Sequence, residues 1–99
     1  MIIYKYELEI TDNQMINTGK SRAYPISVAE QQGKLVMWAI LTDDIKHTGG
    51  NQYVMSVHIV GTGNRFHALT GNYGTFIGTV VMTNGLVWHI FAEPLVVGV

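Results

Sequence analysis

The segment that most constrains the fold is 75–93, TFIGTVVMTNGLVWHIFAE, in which two apolar arms flank the dipeptide Asn84-Gly85. Asn-Gly favours a two-residue type I′ turn, because both central residues of that turn need a positive φ. The arms are rich in β-branched and aromatic residues, as strands are. We therefore predict a β-hairpin with Val81 opposite Trp88. Both of its faces are apolar, so we expect burial on both sides.

Other segments show strand patterns separated by polar or glycine-rich turns. Apolar and polar residues alternate from Ile2 to Ile10, which predicts a strand with one solvent-exposed face that carries Lys5 and Glu7. A turn at Gln32-Gly33 precedes 34–42, which is apolar on both faces and indicates a central strand. Further strands are predicted at 14–18 (a weaker pattern), 24–29 and 52–60. In 52–60, His58 lies on the side opposite the apolar residues Tyr53, Met55, Val57 and Ile59. No segment favours a helix. Residues 1–99 therefore predict a single all-β domain, an antiparallel β-sandwich or small β-barrel of six or seven short strands.

Charge is scarce and unevenly placed along the chain. Charged residues make up 13% of the sequence, whereas about 25% is usual. Arg65 is the only formally charged residue between His47 and Ala92. One interpretation is a β domain whose polar face uses Thr, Asn, Gln and Ser. Because a small domain has a large surface, we prefer the other, that another subunit covers part of this half. Glu93-Pro94 is predicted to end the hairpin, and the apolar tail 95–99 to pack on the core or on a neighbouring subunit. We expect a homo-oligomer.

Composition also argues against several classes of protein. A net charge of −1 gives no basic patch for nucleic acid or for an anionic membrane. The chain contains no cysteine, which excludes disulfides, thiolate zinc sites and cysteine nucleophiles. No apolar run approaches the ~20 residues of a membrane helix. We expect an intracellular protein that binds neither nucleic acid nor membranes.

The candidate binding site lies in the longest irregular stretch, 61–74, GTGNRFHALTGNYG. A long glycine-rich connection in a chain with short turns favours a functional loop. Arg65 would supply a cation for a phosphate or another anionic group, and Tyr73 a stacking face. The predicted ligand- or partner-binding residues are Asn64, Arg65, His67, Asn72 and Tyr73. The alternative is that Arg65 is an ordinary surface residue.

Catalytic and metal-binding patterns are weak. The serines have no recognisable nucleophile setting, and the histidines at positions 47, 58, 67 and 89 lack the close spacing that helps to build a zinc site. Asp43 and Asp44 are adjacent loop carboxylates, which are usually solvated. Trp38 and Trp88 are predicted core residues. We expect no catalytic residues, no metal and no cofactor.

Five segments resemble a family of small proteins encoded by tailed bacteriophages and prophages. They are IYKYELEITDNQ, VAEQQGKLVMWAIL, IVGTG, FIGTV and LVWHIFAE, which together span most of the chain. The chain departs from the family pattern between Gly63 and Gly74, where it carries a longer insertion. The resemblance implies a phage origin and action in the host bacterial cytoplasm, and it brings no catalytic residues.

Three functions follow as expectations. The first is a non-enzymatic inhibitor of a bacterial anti-phage defence system, which binds a host defence protein or sequesters a nucleotide messenger. The second is a small structural or assembly protein of the phage particle. The third is an enzyme acting on a nucleotide, which the lack of an acid–base constellation disfavours.

Overall fold

The protein is a sandwich of two antiparallel β-sheets without helices in the part of the chain that is described. The computed structural model describes residues 1–43, 52–64 and 73–97. The three-stranded sheet, sheet A, has the order β1-β4-β3, and the four-stranded sheet, sheet B, has the order β2-β5-β7-β6. This architecture confirms the predicted fold class. The seven strands are β1 (Ile2–Leu8), β2 (Asn13–Gly19), β3 (Ser21–Gln31), β4 (Lys34–Asp43), β5 (Gln52–Gly61), β6 (Thr75–Val81) and β7 (Val87–Val97).

The core lies between the two sheets and follows the alternation seen in the sequence. On β5, every second residue from Tyr53 to Ile59 is buried and faces sheet A, as a period of two requires. Strand β3 packs against β5, β6 and β7, and so crosses the inner face of sheet B. The fully buried side chains with the largest volumes are Leu35, Met37, Met55, Ile90 and Val57. Burying these apolar groups supplies the main driving force for folding.

The β6–β7 hairpin forms around Asn84-Gly85, but its turn type and register differ from the prediction. The N–H of Gly85 donates to the carbonyl of Met82 at 2.9 Å, and the N–H of Met82 donates to the carbonyl of Leu86 at 2.8 Å. Within this hairpin loop, only Gly85 has a positive φ, at 89°. The loop therefore has three residues, 83–85: a type I turn followed by a glycine bulge.

A contact from sheet A explains this loop. The carboxylate of Glu30 accepts hydrogen bonds from the backbone N–H and the hydroxyl of Thr83, each at 2.7 Å. Thr83 is thereby held inside the loop and is not a strand residue opposite Leu86. The register moves by one position, so that Val81 faces Val87 and Val80 faces Trp88. The predicted pairing of Val81 with Trp88 was wrong.

The register shift gives the hairpin one buried and one open face. Val80 and Ile90 point into the core, whereas Val81 is 69% exposed and Phe76 is 53% exposed on the opposite face. The prediction of burial on both faces was therefore wrong. The type I′ geometry occurs instead at the β3–β4 turn, where Gln32 and Gly33 have φ of 52° and 79°.

The β6–β7 pairing ends at Ala92, directly before Glu93-Pro94, as predicted. Strand β7 itself continues, and Pro94 lies within it, opposite Met55 of β5. Strand β6 pairs with β7 only as far as Ala92, so the proline interrupts no ladder on that side.

Of the two tryptophans, Trp88 packs against the core as predicted. Trp38 alternates with the fully buried Met37 and Ala39 of β4 and is only half-buried. It therefore lies on the outer face of sheet A and not in the core.

The apolar tail is partly an extension of β7. Residues Leu95 to Val97 pair with β5, and Val96 and Val97 remain 50% and 45% exposed. Positions 98 and 99 lie outside the described residues. Among the residues described, no helix is long and apolar enough to cross a membrane.

Candidate functional site

Sheet B presents a row of aromatic side chains on the face turned away from the core. Strand pairing places His58 of β5 opposite Phe91 of β7, and Phe91 opposite Phe76 of β6. The rings of Phe76 and Phe91 are 5.4 Å apart between centroids. Tyr73 completes the row with its ring 4.7 Å from His58 and 6.2 Å from Phe91. These four residues are called the aromatic row below.

A shallow cavity of about 280 Å³ opens beside the aromatic row and is called the outer-face pocket. Phe76 and Phe91 form its apolar wall, and the end of β5 with the turn after it forms the other side. The lining residues are Val60, Gly61, Thr62, Gly63, Asn64, Phe76, His89 and Phe91. An apolar concavity with a few polar groups is the usual form of a small-molecule site.

His89 is fixed in the pocket by two hydroxyl groups. Its Nε2 lies 2.8 Å from Oγ1 of Thr62, and its Nδ1 lies 2.9 Å from Oγ1 of Thr79. A neutral imidazole carries one donor and one acceptor nitrogen, so one threonine accepts a hydrogen bond from the ring and the other donates to it. Since both nitrogens are engaged, His89 suits a rigid wall of a binding site better than proton exchange with a substrate.

Glycine at position 61 lets the turn after β5 fold against the sheet. A Cβ atom there would lie 2.7 Å from Nδ2 of Asn64 and 3.1 Å from Cζ3 of Trp88. These distances are shorter than ordinary van der Waals contacts, so a larger residue would displace Asn64 from the pocket. The indole of Trp88 therefore lies directly behind the pocket wall.

Among the residues that the structure describes, the closest approach to a catalytic arrangement is the pair of Ser56 and His58 on β5. Oγ of Ser56 and Nε2 of His58 are 3.4 Å apart. Ser56 is only 6% exposed, and β5 is paired with β2 on one side and β7 on the other. The backbone N–H groups around Ser56 are thus used in the sheet and cannot form an oxyanion hole. This pair is best explained as a structural hydrogen bond.

The structure describes two of the five predicted binding residues. Asn64 lines the outer-face pocket, and Tyr73 belongs to the aromatic row beside it. Arg65, His67 and Asn72 lie outside the described residues. Within the described ranges, no group of three or more histidine, aspartate or glutamate residues could hold a metal ion; Asp44, His47 and His67 lie outside these ranges.

Phe76, His89 and Phe91 were not among the site residues predicted from the sequence. The predicted hairpin register placed His89 and Phe91 on the same face as Val80, which is buried in the core. The signal was nevertheless present: His58 had been assigned to the side of β5 opposite the apolar residues. Extending that face across β7 and β6 in the correct register leads to the pocket.

A family model matches residues 1–96 of the chain. The chain belongs to the family described as Domain of unknown function (DUF7352). The match covers every described strand of the DUF7352 domain almost to the end of β7. A search of curated proteins finds no match to this DUF7352 chain, and a search of solved structures finds none either.

Proposed function

We propose that this DUF7352 protein is a non-enzymatic binding protein whose outer-face pocket holds a flat group such as a nucleobase. The proposal rests on one observation: Phe76, Phe91 and His89 surround one cavity on an open sheet face, and two hydrogen bonds hold the ring of His89 in place. Stacking of a base on an aromatic side chain contributes about 1–3 kcal/mol, whatever the base. His89 and Asn64 give the pocket a polar edge.

The size and charge of the pocket favour one part of a nucleotide over a large ligand. About 280 Å³ is near the lower limit of small-molecule pockets, so a base or a base with its sugar fits better than a whole dinucleotide. Arg65 follows Asn64 in the sequence and is the only formal charge between Lys46 and Glu93. It is the natural counter-ion for a phosphate attached to a base in the pocket.

In the cell, the proposed role is inhibition of a bacterial anti-phage defence system in the host cytoplasm. Its support is the resemblance of the five segments quoted above to phage proteins, together with the absence of a catalytic arrangement around the described pocket. Sequestering a nucleotide messenger needs a pocket and no chemistry. Binding a host defence protein is the second candidate, and the 53% exposure of Phe76 favours it, because exposed aromatic residues often anchor protein partners.

Titration with nucleotides tests the pocket directly. The probes are AMP, cyclic AMP and cyclic dinucleotides. Their binding is measured by calorimetry and by the fluorescence of Trp88 in a Trp38→Phe background. Phe76→Ala should weaken binding by about 5–150-fold if the ring stacks on the base. The matched control is Val81→Ala, because Val81 lies on the same strand and the same face but outside the pocket.

The outcome separates the two candidates. Equal binding by Phe76→Ala and Val81→Ala would refute the pocket as the nucleotide site. If no nucleotide binds at millimolar concentration, the nucleotide proposal fails, and Phe76→Ala should instead abolish co-purification of a host protein from infected cells.

Arg65→Ala should weaken nucleotide binding by about 1–3 kcal/mol without changing the unfolding midpoint. Lys20→Ala provides a charge-matched control, since Lys20 lies in the β2–β3 turn.

A further inference from the structure

Strand β1 differs from the other three edge strands of the sandwich. Edge strands usually carry bulges, prolines or charges that prevent them from pairing with another chain. Register shifts interrupt β2 after Asn17, β3 after Pro25 and β6 after Phe76. Strand β1 pairs with β4 in continuous register from Ile2 to Leu8, and among the described strands β4 is its only neighbour.

The exposed side chains of β1 are apolar on both faces near its start. Ile2, Ile3 and Tyr4 are 58%, 63% and 52% exposed. An edge strand without a bulge or a proline, and with exposed apolar residues, is a template for strand addition. The only charged residues within β1 are Lys5 and Glu7, which project from the same face.

We propose that β1 pairs antiparallel with β1 of a second copy of this chain, with Tyr6 opposite Tyr6 at a two-fold axis. The pairing joins two three-stranded sheets into one sheet of six strands. Such an interface is self-complementary, which is the property of a closed dimer. It identifies a partner surface that is separate from the outer-face pocket, because β1 belongs to the other sheet.

Charge selects this register. If the outer faces of the two copies lie on the same side, neighbouring registers differ by two residues. With Tyr6 opposite Tyr6, Lys5 of each copy faces Glu7 of the other, so two opposite-charge pairs form. One step in one direction places Lys5 opposite Lys5. One step in the other places Glu7 opposite Glu7, with Lys5 facing Glu9, which lies beyond the end of β1 at Leu8. Like charges directly opposite one another destabilise a sheet.

Both charged groups have spare hydrogen-bonding capacity. Nζ of Lys5 donates to Oε1 of Gln31 at 3.0 Å, and Nζ of Lys34 lies 3.5 Å from Oε2 of Glu7. Gln31 belongs to β3 and Lys34 to β4, both on the side of β1 away from its free edge. The two exposed side chains must therefore turn toward the edge to reach the partner, where an ammonium group offers three donors and a carboxylate two oxygens. The Glu7 side chain is 61% exposed.

The opposite face supplies apolar contact in the same register. Tyr4 of one copy faces Leu8 of the other. Leu8 is buried in its own core, so Tyr4, which is 52% exposed, is the residue that loses exposed surface in this pair. Ile2 reaches Ile10, which follows the end of β1 at Leu8 and is 50% exposed in the single chain. Surface ion pairs contribute little to stability. The apolar row therefore supplies the affinity, and the charges determine the register.

Charge reversal tests the proposal. The natural chain should have twice the 11.0 kDa monomer mass in light scattering at about 100 μM. Lys5→Glu alone and Glu7→Lys alone should each weaken the dimer at least tenfold, because each places like charges opposite one another. The double variant Lys5→Glu/Glu7→Lys restores opposite pairs and should dimerise as the natural chain does. Circular dichroism verifies that every variant is folded.

Cysteine cross-linking locates the axis. The chain has no cysteine, so each introduced thiol can react only with its copy. Residues directly opposite in an antiparallel pair have Cα atoms about 4.5–5.5 Å apart, within the range of a disulfide. Tyr6→Cys should form a covalent dimer faster than Lys5→Cys or Glu7→Cys. A monomer at 100 μM, a dimer unaffected by both single reversals, or fastest cross-linking at position 5 or 7 would overturn the proposal.

Discussion

The packing of the two sheets can be tested at the contact between Gly78 and Val28. Gly78 lies on the inner face of β6, opposite the buried Ile90. A Cβ atom at position 78 would lie 3.0 Å from Cγ2 of Val28, which projects from β3 of the other sheet. Ordinary van der Waals contact begins at 3.4 Å, so one partner must move by a few tenths of an ångström.

The expected cost of Gly78→Ala is the balance of two effects. Replacing a strand glycine by alanine gains about 0.5–1 kcal/mol, because the unfolded chain loses conformational freedom. Overpacking a core costs about 1–3 kcal/mol, and Val28 cannot easily adapt because a β-branched side chain has few rotamers. Gly78→Ala should therefore destabilise the protein by about 0.5–2 kcal/mol.

A double-mutant cycle separates the steric contact from other effects. Val28→Ala alone removes two methyl groups and should cost about 1–2 kcal/mol. In the double variant the new methyl group occupies part of the vacated space, so the combined loss should be about 1–2 kcal/mol less than the sum of the single losses. The measurement is urea unfolding followed by tryptophan fluorescence. Additivity within about 0.5 kcal/mol would refute the steric argument.

Two further predictions follow from the same structure. Gly74→Ala should cost clearly more than Gly85→Ala in urea unfolding: both positions have positive φ, at 84° and 89°, but only at Gly74 would a Cβ lie 2.9 Å from the backbone of Ala92. Burial, and to a lesser extent the phenol of Tyr4, raise the pKa of Tyr6 above 10.0. Unfolding therefore releases a proton above about pH 10, so stability should fall as pH rises from there, and Tyr6→Phe should reduce that fall; an identical pH profile for both proteins would refute this.

The fold class could be predicted from the sequence because burial imposes a period of two on each strand. The apolar side of β5, from Tyr53 to Ile59, was assigned correctly and is buried. The assignment of Lys5 and Glu7 to the solvent-exposed face of β1 was also correct. These patterns depend on neighbouring residues only, so they need no knowledge of the tertiary structure.

The hairpin register could not be predicted in this way, because a distant residue determines it. Glu30 is 53 positions from Thr83 and holds that residue in the loop. A slip of one residue turns every side chain of one strand to the other face. It was this slip that concealed the aromatic wall of the pocket, although Asn64 and Tyr73 had been assigned to the site from loop composition alone.

The position of β7 has a consequence for the order in which the chain can assemble. β7 is the last strand in the sequence, yet it lies between β5 and β6 inside sheet B. During synthesis, β5 and β6 therefore emerge from the ribosome without the strand that joins them. The β3–β4 hairpin can close early, whereas sheet B must wait for residues 87–97. Nascent chains ending before Val87 should accordingly remain sensitive to protease across β5, and become resistant only when β7 has emerged.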